Sequence, residues 1–421
     1  MNQLTPAQGK TLWEAGGFVV LTDLPEGSEF GIDGVFNVIR KFSGIKFLPP
    51  GLHLITWSSI PSSSSTSSSS SSSSVTVSSP QGGVPIRNGL IRFFSPRQRV
   101  LLRYDPSSEE VNDVKGEITD DKLRSIDVEL APYPFDHHPQ WKSLTSCITQ
   151  ETVDTVLGED GKRIGRVDGM TNVIGEEEDS KEMKIELTNL PSKYKSQDGL
   201  NFVRFNLRRS WRSGAIGEEV TKFSKDKSWL LGDVITNQLG GNPTKLISQL
   251  QLSFILLLNL SSYSALLVYK RILNLLCQSP TFISSPDTYL DTSTSSSSSP
   301  KHVQNTYRAL IDTLAAQISS IPEGTFDTEL PELDVFYLDQ IETVKRSLAI
   351  AMWGLNGTQK WDEMIKKDMQ VSWGKLEESS KKWGWEIGDL TISSSGFNGE
   401  EEDGDNEEEE EGEYAPVIVE I

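Results

Sequence analysis

Short apolar runs separated by turn-forming residues fill the first part of the chain, at intervals of about ten residues. Turn residues such as Asp33 and Gly34 stand between the runs. The apolar runs lie at 18–21, 36–39, 45–48, 52–57, 90–94 and 100–104. Such spacing is typical of a sandwich or small barrel, so it predicts a β-rich N-terminal domain.

After residue 104 the apolar positions follow a helical period. We predict helices at 120–126 and 141–157, the second containing an N-cap candidate at Thr149. From Trp229 onward apolar residues recur on single helical faces, and we expect roughly five to seven stacked antiparallel helices to bury them. Three of these stripes are Val303, Tyr307, Leu310, Ile311, Leu314 and Ile318; Ile341, Val344, Leu348, Met352 and Leu355; and Trp361, Ile365, Met369, Trp373 and Leu376.

One segment, residues 246–269, carries no charge and is long enough to cross a bilayer. It nevertheless contains Gln249, Gln251, Asn259 and five serines, and its purely apolar part covers only residues 254–258. The pattern therefore favours two core helices with a bend at 259–262 over a membrane span.

These patterns divide the chain into an α+β two-domain protein. Residues 1–157 form the N-terminal β-sandwich-like domain, with a serine-rich loop at 61–80 and trailing helices. Residues 158–225 are interpreted as a partly disordered linker. Residues 226–390 form an all-helical domain interrupted by a second serine run at 293–299. Residues 391–421 hold an acidic spacer and a terminal strand.

The net charge of −20 comes more than half from that acidic spacer. Nucleic-acid surfaces need clustered Lys and Arg, so this balance argues against one. The densest basic cluster surrounds Trp211, and we interpret it as a solvated face or loop. Its members are Arg204, Arg208, Arg209 and Arg212.

No catalytic constellation emerges from the sequence, so no catalytic residue, metal or cofactor is expected. His53 alternates with apolar neighbours, which favours a satisfied core histidine over a ligand. His137 and His138 lie between two prolines, which favours a turn between domains. Cys147 and Cys277 are far apart, so no disulfide framework is expected. Residues 1–17 lack the apolar stretch of a secretory signal, and we expect the cytoplasm and nucleus.

The C-terminus joins two blocks that belong together. Residues 400–413 contain eleven carboxylates and no base, so like-charge repulsion keeps this spacer extended. The residues after it have strand composition and form the predicted partner-binding segment. They are Tyr414, Pro416, Val417, Ile418, Val419, Glu420 and Ile421. The segment either adds to a partner's sheet edge or completes the protein's own sheet, and its composition leaves both open.

Several stretches then resemble a known family. They read GSEFGID (27–33), FSGIKFLPPGLH (42–53), APYP (131–134), LQLSF (250–254), YKRILNLLC (269–277) and APVIVE (415–420). In this order they resemble the Aar-two family of cistron-splicing factors, which help to assemble the U5 small nuclear ribonucleoprotein. The two serine runs, residues 158–196 and the acidic spacer depart from the family pattern and read as lineage insertions.

The resemblance implies a non-enzymatic assembly chaperone, a monomer when free. It would bind the RNase H-like and endonuclease-like domains of the largest U5 scaffold protein and hold off the particle's RNA helicase. No direct nucleic-acid or membrane partner is implied; the alternative is an RNA-binding module or enzyme of the same pathway. We expect the first two motifs to set turns, with Gly31 and Gly51 at positive φ. Their key residues are Gly27, Phe30, Gly31, Asp33, Pro49, Pro50, Gly51 and His53.

Overall fold

The computed structural model describes residues 6–58, 86–158, 166–173, 199–290, 299–354 and 361–391. Within these residues the N-terminal part forms two five-stranded sheets. The strands are β1 (Gly17–Thr22), β2 (Glu29–Ile32), β3 (Val35–Val38), β4 (Gly44–Leu48), β5 (Gly51–Ser58), β6 (Asn88–Phe94), β7 (Arg99–Asp105), β8 (Glu110–Asp113), β9 (Leu130–Pro132) and β10 (Arg166–Asp168).

The two sheets stack face to face. The first has the order β8-β7-β1-β4-β9 and is mixed, because β1 pairs parallel with β7 and antiparallel with β4. The second has the order β10-β6-β5-β2-β3 and is antiparallel throughout. Val19 and Leu102 of the first sheet share one buried apolar cluster with Ile55 and Leu90 of the second. The predicted β-sandwich is therefore confirmed.

Helices flank the sandwich and form the C-terminal half. They are α1 (Pro6–Ala15), α2 (Asp120–Ser125), α3 (His138–Leu144), α4 (Gln150–Leu157), α5 (Glu218–Lys225), α6 (Ser228–Gln238), α7 (Thr244–Leu260), α8 (Tyr263–Cys277), α9 (Pro280–Ser284), α10 (Pro300–Ser320), α11 (Glu332–Trp353) and α12 (Glu363–Lys381). The single helix predicted at 141–157 is wrong, since α3 and α4 occupy that region. Thr149 is the N-cap as predicted, but it starts a new helix, and its hydroxyl accepts a hydrogen bond from the Thr152 N–H.

The two halves share one apolar core. Leu52 and Ile91, on the outer face of the second sheet, belong to the same buried cluster as Trp141 and the helices of the C-terminal half. The backbone approaches closely at this junction, since a Cβ added at Gly169 would lie 2.4 Å from the Leu260 carbonyl oxygen. The second sheet is therefore the middle layer between the first sheet and the helices.

The uncharged segment at 246–269 is a helical hairpin, as predicted. Helix α7 ends at Leu260, Ser261 takes a left-handed φ of 54°, and Ser262 caps α8. Among the described residues, no helix is long and apolar enough to span a bilayer.

The interpretation of 158–225 as a linker needs correction where the structure describes it. Residues 166–168 form β10, which pairs antiparallel with β6 at the edge of the second sheet, and α5 covers 218–225. A three-residue strand flanked by charges has no apolar run, so the sequence pattern missed it. The serine run at 62–74 and most of that at 293–299 lie outside the described residues.

Candidate functional site

The resembling motifs of the N-terminal half meet at one buried side chain, Asp33. Asp33 and Gly34 form the two-residue turn between β2 and β3, with φ values of 52° and 84°. Positive φ at both central positions defines a type I′ hairpin turn, for which Asp-Gly is a favoured pair. The turn directs the Asp33 carboxylate into the protein, where the residue is buried.

The Asp33 carboxylate has three hydrogen-bond partners. Its Oδ2 lies 2.6 Å from His53 Nδ1 and accepts a 2.6 Å hydrogen bond from the Tyr133 hydroxyl. Its Oδ1 accepts a 2.9 Å hydrogen bond from the Leu54 backbone N–H. His53 Nε2 lies 2.8 Å from the Pro49 carbonyl oxygen. We call Asp33, His53 and Tyr133 the interlock.

The position of one hydrogen on the His53 ring follows from its partner. The Pro49 carbonyl oxygen can only accept a hydrogen bond, so Nε2 of His53 carries a hydrogen. The other ring nitrogen, Nδ1, faces the Asp33 carboxylate. Burial and the neighbouring Asp33 carboxylate raise the pKa of Tyr133, so its phenol stays protonated and donates. Burial, together with His53, lowers the pKa of His138, whose Nδ1 lies 3.1 Å from the Tyr133 hydroxyl.

An Asp–His–Tyr set can serve acid–base chemistry, but this one is closed to a substrate. His53 is 0% exposed, and both of its ring nitrogens already contact acceptors. The prediction of a satisfied core histidine is confirmed. The arrangement joins three elements: the β2–β3 turn, β5 and the segment after β9. Because these elements belong to both sheets, the interlock holds the sandwich together at this end.

Two further histidines, His137 and His138, follow the interlock residue Tyr133 in the chain. His137 ends a short 3₁₀ turn, and His138 begins α3. This placement fits the predicted turn. Within the described ranges, no group of three or more His, Cys, Asp or Glu side chains has a geometry that would hold a metal ion.

The motif glycines divide into two roles. Gly51 has φ 136° and Gly27 has φ 89°, so the prediction of a positive φ at Gly51 is confirmed. The same prediction for Gly31 is wrong, because Gly31 is an ordinary residue of β2. A Cβ there would lie 2.2 Å from Thr56 Oγ1 and 2.7 Å from the Phe36 ring. Gly31 is required by the close approach of β3 and β5.

The other motif residues complete this end of the sandwich. Phe30 is buried against Phe42 with ring centroids 4.5 Å apart, and Pro50 lies exposed in the turn before β5. Sequence reasoning missed Tyr133 as the partner of Asp33, although its APYP motif was a signal. The predicted partner-binding residues, from Tyr414 to Ile421, lie outside the described residues.

A second set of polar contacts, in the helical half, also escaped sequence reasoning. Lys227 is buried, and its Nζ donates a 3.0 Å hydrogen bond to the Ser210 hydroxyl and another to the Ser224 carbonyl oxygen. Burial lowers the pKa of Lys227. Ser210 is itself buried and donates to the Phe223 carbonyl. This Ser–Lys pair therefore fixes a loop and has no access for a substrate.

Two family models match the chain, one over each half. The AAR2 N-terminal domain matches residues 15–158, which include the sandwich strands β1 to β9 and the interlock. The AAR2 C-terminal repeat region matches residues 202–388, which include α5 to α12. This is the family that the motifs resemble.

Individual relatives agree with the family models. The chain is 30% identical over 292 residues to Protein AAR2 homolog of Pongo abelii, across 66% of this chain and 73% of the relative. It is 28% identical over 297 residues to the homologue of Mus musculus, at the same coverage. It is 23% identical over 301 residues to that of Caenorhabditis elegans, across 65% of this chain and 75% of the relative.

Proposed function

The chain belongs to the AAR2 family, and from this premise we propose that it is a pre-mRNA splicing factor that assists assembly of the U5 small nuclear ribonucleoprotein. It acts as an assembly chaperone, occupying a surface of the largest U5 scaffold protein. The particle's RNA helicase is held off until the particle matures. The observation that carries the proposal is the match of both family domains, in order, along one chain.

The described residues support binding over catalysis. The interlock of the N-terminal half is buried, and its hydrogen-bonding groups contact groups of the protein itself. The Ser210–Lys227 pair is closed in the same way. Groups that satisfy each other in the interior stabilise a fold and specify its geometry, but they cannot reach a substrate. Two halves that share one apolar core suit a body that presents surfaces to a partner.

The mode of binding follows from the sequence of the C-terminus. Residues 417–421 are rich in β-branched side chains and follow the acidic spacer. We place this strand at the edge of the partner's RNase H-like sheet. There, main-chain hydrogen bonds supply the affinity and alternate side chains supply the specificity.

A pull-down tests the proposal. Tagged full-length protein, incubated with nuclear extract, should capture the largest U5 scaffold protein, and purified RNase H-like domain should bind the same bait. A bait ending at Glu413 should bind that domain at least about tenfold more weakly, because it loses several strand hydrogen bonds of roughly 0.5 to 1.5 kcal/mol each. Capture of other proteins only, or equal binding by both baits, would contradict the proposal.

A further inference from the structure

A loop on the helical half presents four arginines to solvent. It covers residues 201–217, between the sandwich and α5, and we call it the arginine loop. Arg204, Arg208, Arg209 and Arg212 are all exposed, and Trp211 lies half-buried among them. The loop has no regular helix or strand, so side-chain anchors must hold it in place.

The first part of the arginine loop is held by two glutamines. Phe202 and Val203 are buried, and the Val203 N–H donates a 2.9 Å hydrogen bond to Gln249 of α7. Gln238, at the end of α6, binds both backbone polar groups of Arg204. Its side chain accepts a 2.9 Å hydrogen bond from the Arg204 N–H and donates a 2.7 Å hydrogen bond to the Arg204 carbonyl oxygen. These contacts fix the backbone on either side of the first arginine.

The second part is held by the buried Ser210–Lys227 pair. Ser210 directly follows Arg209 and lies two residues before Arg212, so its anchorage fixes the backbone next to both. Asn206 supplies a further turn, because its Oδ1 accepts a 2.8 Å hydrogen bond from the Arg208 N–H. Arg208 and Arg209 are thus carried by a backbone that is fixed before and after them.

Charge on this surface is unbalanced. Between residues 204 and 225 the chain has six cations and two carboxylates, although its net charge is −20. Arg212 pairs with Glu219 at 2.6 Å, and Arg204 donates to Asn201. In the part of the chain that the structure describes, no carboxylate pairs with Arg208 or Arg209. Arginine forks bind carboxylates through two parallel hydrogen bonds, so these two guanidinium groups suit an acidic peptide.

We propose that the arginine loop binds the chain's own acidic spacer, residues 400–413, in the free protein. The charges are complementary, since the spacer offers eleven carboxylates and no base. The spacer is also long enough. The described chain ends at Thr391, so the spacer lies 9 to 22 residues further on, which an extended chain spans as about 30 to 75 Å. A folded chain of this length has a radius of gyration of about 22 Å, so the reach of the spacer from Thr391 exceeds that radius.

This docking regulates how easily a partner takes the terminal strand. That regulatory role rests on the proposed function, because it requires the partner. The terminal strand directly follows the spacer, so a docked spacer keeps the strand beside the helical half. A partner that takes the strand competes with the arginine loop, and the competition weakens as salt rises. The docking itself is measured without any partner, so its failure and the failure of the proposed function are distinguishable.

The test uses full-length protein and a fluorescein-labelled peptide of residues 400–413 in 50 mM salt. Wild-type protein should bind the peptide weakly, because its own spacer occupies the loop. A full-length variant with the spacer carboxylates changed to Gln and Asn should bind it about tenfold more tightly. Adding Arg208→Glu and Arg209→Glu to that variant should remove the gain. The control pair Arg40→Glu and Lys41→Glu, also exposed neighbours, should keep it.

Three results would overturn the proposal. One is equal peptide binding by wild type and the neutralised variant. Another is a gain that survives the substitutions at Arg208 and Arg209, whether to Glu or, if that variant melts early, to Gln. The third is tighter binding of an eleven-nucleotide oligouridine than of the peptide at the same arginines, which would make the loop a nucleic-acid surface.

Discussion

The Tyr133 hydroxyl donates a 2.6 Å hydrogen bond to Oδ2 of Asp33, a residue 100 positions earlier in the chain. Tyr133 directly follows β9 at the edge of the first sheet, and Asp33 forms the β2–β3 turn of the second. One hydrogen bond therefore links the two layers of the sandwich. His53 contacts the same carboxylate oxygen, so the turn, β5 and the APYP motif depend on one another.

Replacing Tyr133 by Phe should lower the free energy of unfolding by about 1–3 kcal/mol, because a buried carboxylate loses one of its donors. Urea unfolding followed by circular dichroism measures this. Tyr263→Phe is the matched control, since that ring is 64% exposed and the same change should stay within about 0.5 kcal/mol. Equal effects at both positions would show that the hydroxyl of Tyr133 contributes nothing to the interlock.

Gly31→Ala should destabilise the sandwich by about 1–3 kcal/mol, because its Cβ would overlap Thr56 Oγ1 and the Phe36 ring. Combining it with Thr56→Ala should cost less than the sum of the two single changes, since the closest clashing atom is removed. Strict additivity of Gly31→Ala and Thr56→Ala would reject close packing as the reason for Gly31.

Gly51→Ala should cost about 1 kcal/mol or more, because an added Cβ meets no atom but the backbone needs a positive φ. Loss of partner binding by Gly51→Ala at unchanged stability would show that the loop before β5 has a binding role.

Deleting the serine run at 62–74 should leave stability nearly unchanged. The strands on either side already pair, with Trp57 opposite Asn88, so the run only lengthens their connection. Shortening that connection by about half changes the closure free energy by about 0.5 kcal/mol. Thermal unfolding and the partner pull-down measure the outcome. Loss of the partner at an unchanged melting temperature would identify the serine run as a recognition element.

Val419→Pro should weaken binding to the RNase H-like domain nearly as much as removal of Tyr414–Ile421, because proline cannot donate within a strand ladder. Ala415→Pro is the control, since pairing begins only after Pro416. Isothermal titration calorimetry measures both. Neither change should shift the melting temperature of the free protein; a clear drop would mean that the strand completes the protein's own sheet.

The protein should lose stability as the pH falls below about 6.5, in part through His302. Burial lowers the pKa of His302 in the folded state, so the unfolded chain binds more protons in this range and protonation favours unfolding. His302→Gln should therefore reduce the loss of stability between pH 7.5 and 5.5. His137→Gln, at an exposed ring, should leave that loss as it is in the wild type. Melting temperatures of the wild type and of both variants between pH 7.5 and 5.5 measure this loss of stability.

Local patterns predicted those elements whose signal lies within their own segment. The strands at 18–21 and 52–57 have long apolar runs, and the hairpin at 246–269 has a polar interruption where the structure places Ser261 at a left-handed φ. Thr149 was recognised as a cap from its own position and its neighbours. The error at 141–157 had the same origin, because a helical period continues across the break between α3 and α4 and does not reveal it.

The sequence by itself determined the class of the fold, the order of its parts and their resemblance to a family. Only the tertiary structure decided that β10 joins the second sheet, that Gly31 lies against Thr56, and that Asp33 meets Tyr133. The reason is physical, because each of these features depends on a residue far away in the sequence. Strand β10 is held by β6, Gly31 is required by Thr56, and the carboxylate of Asp33 is held by a donor 100 residues later. Periodicity reports which face of a segment is buried, whereas the stacking of the two sheets decides what that face meets.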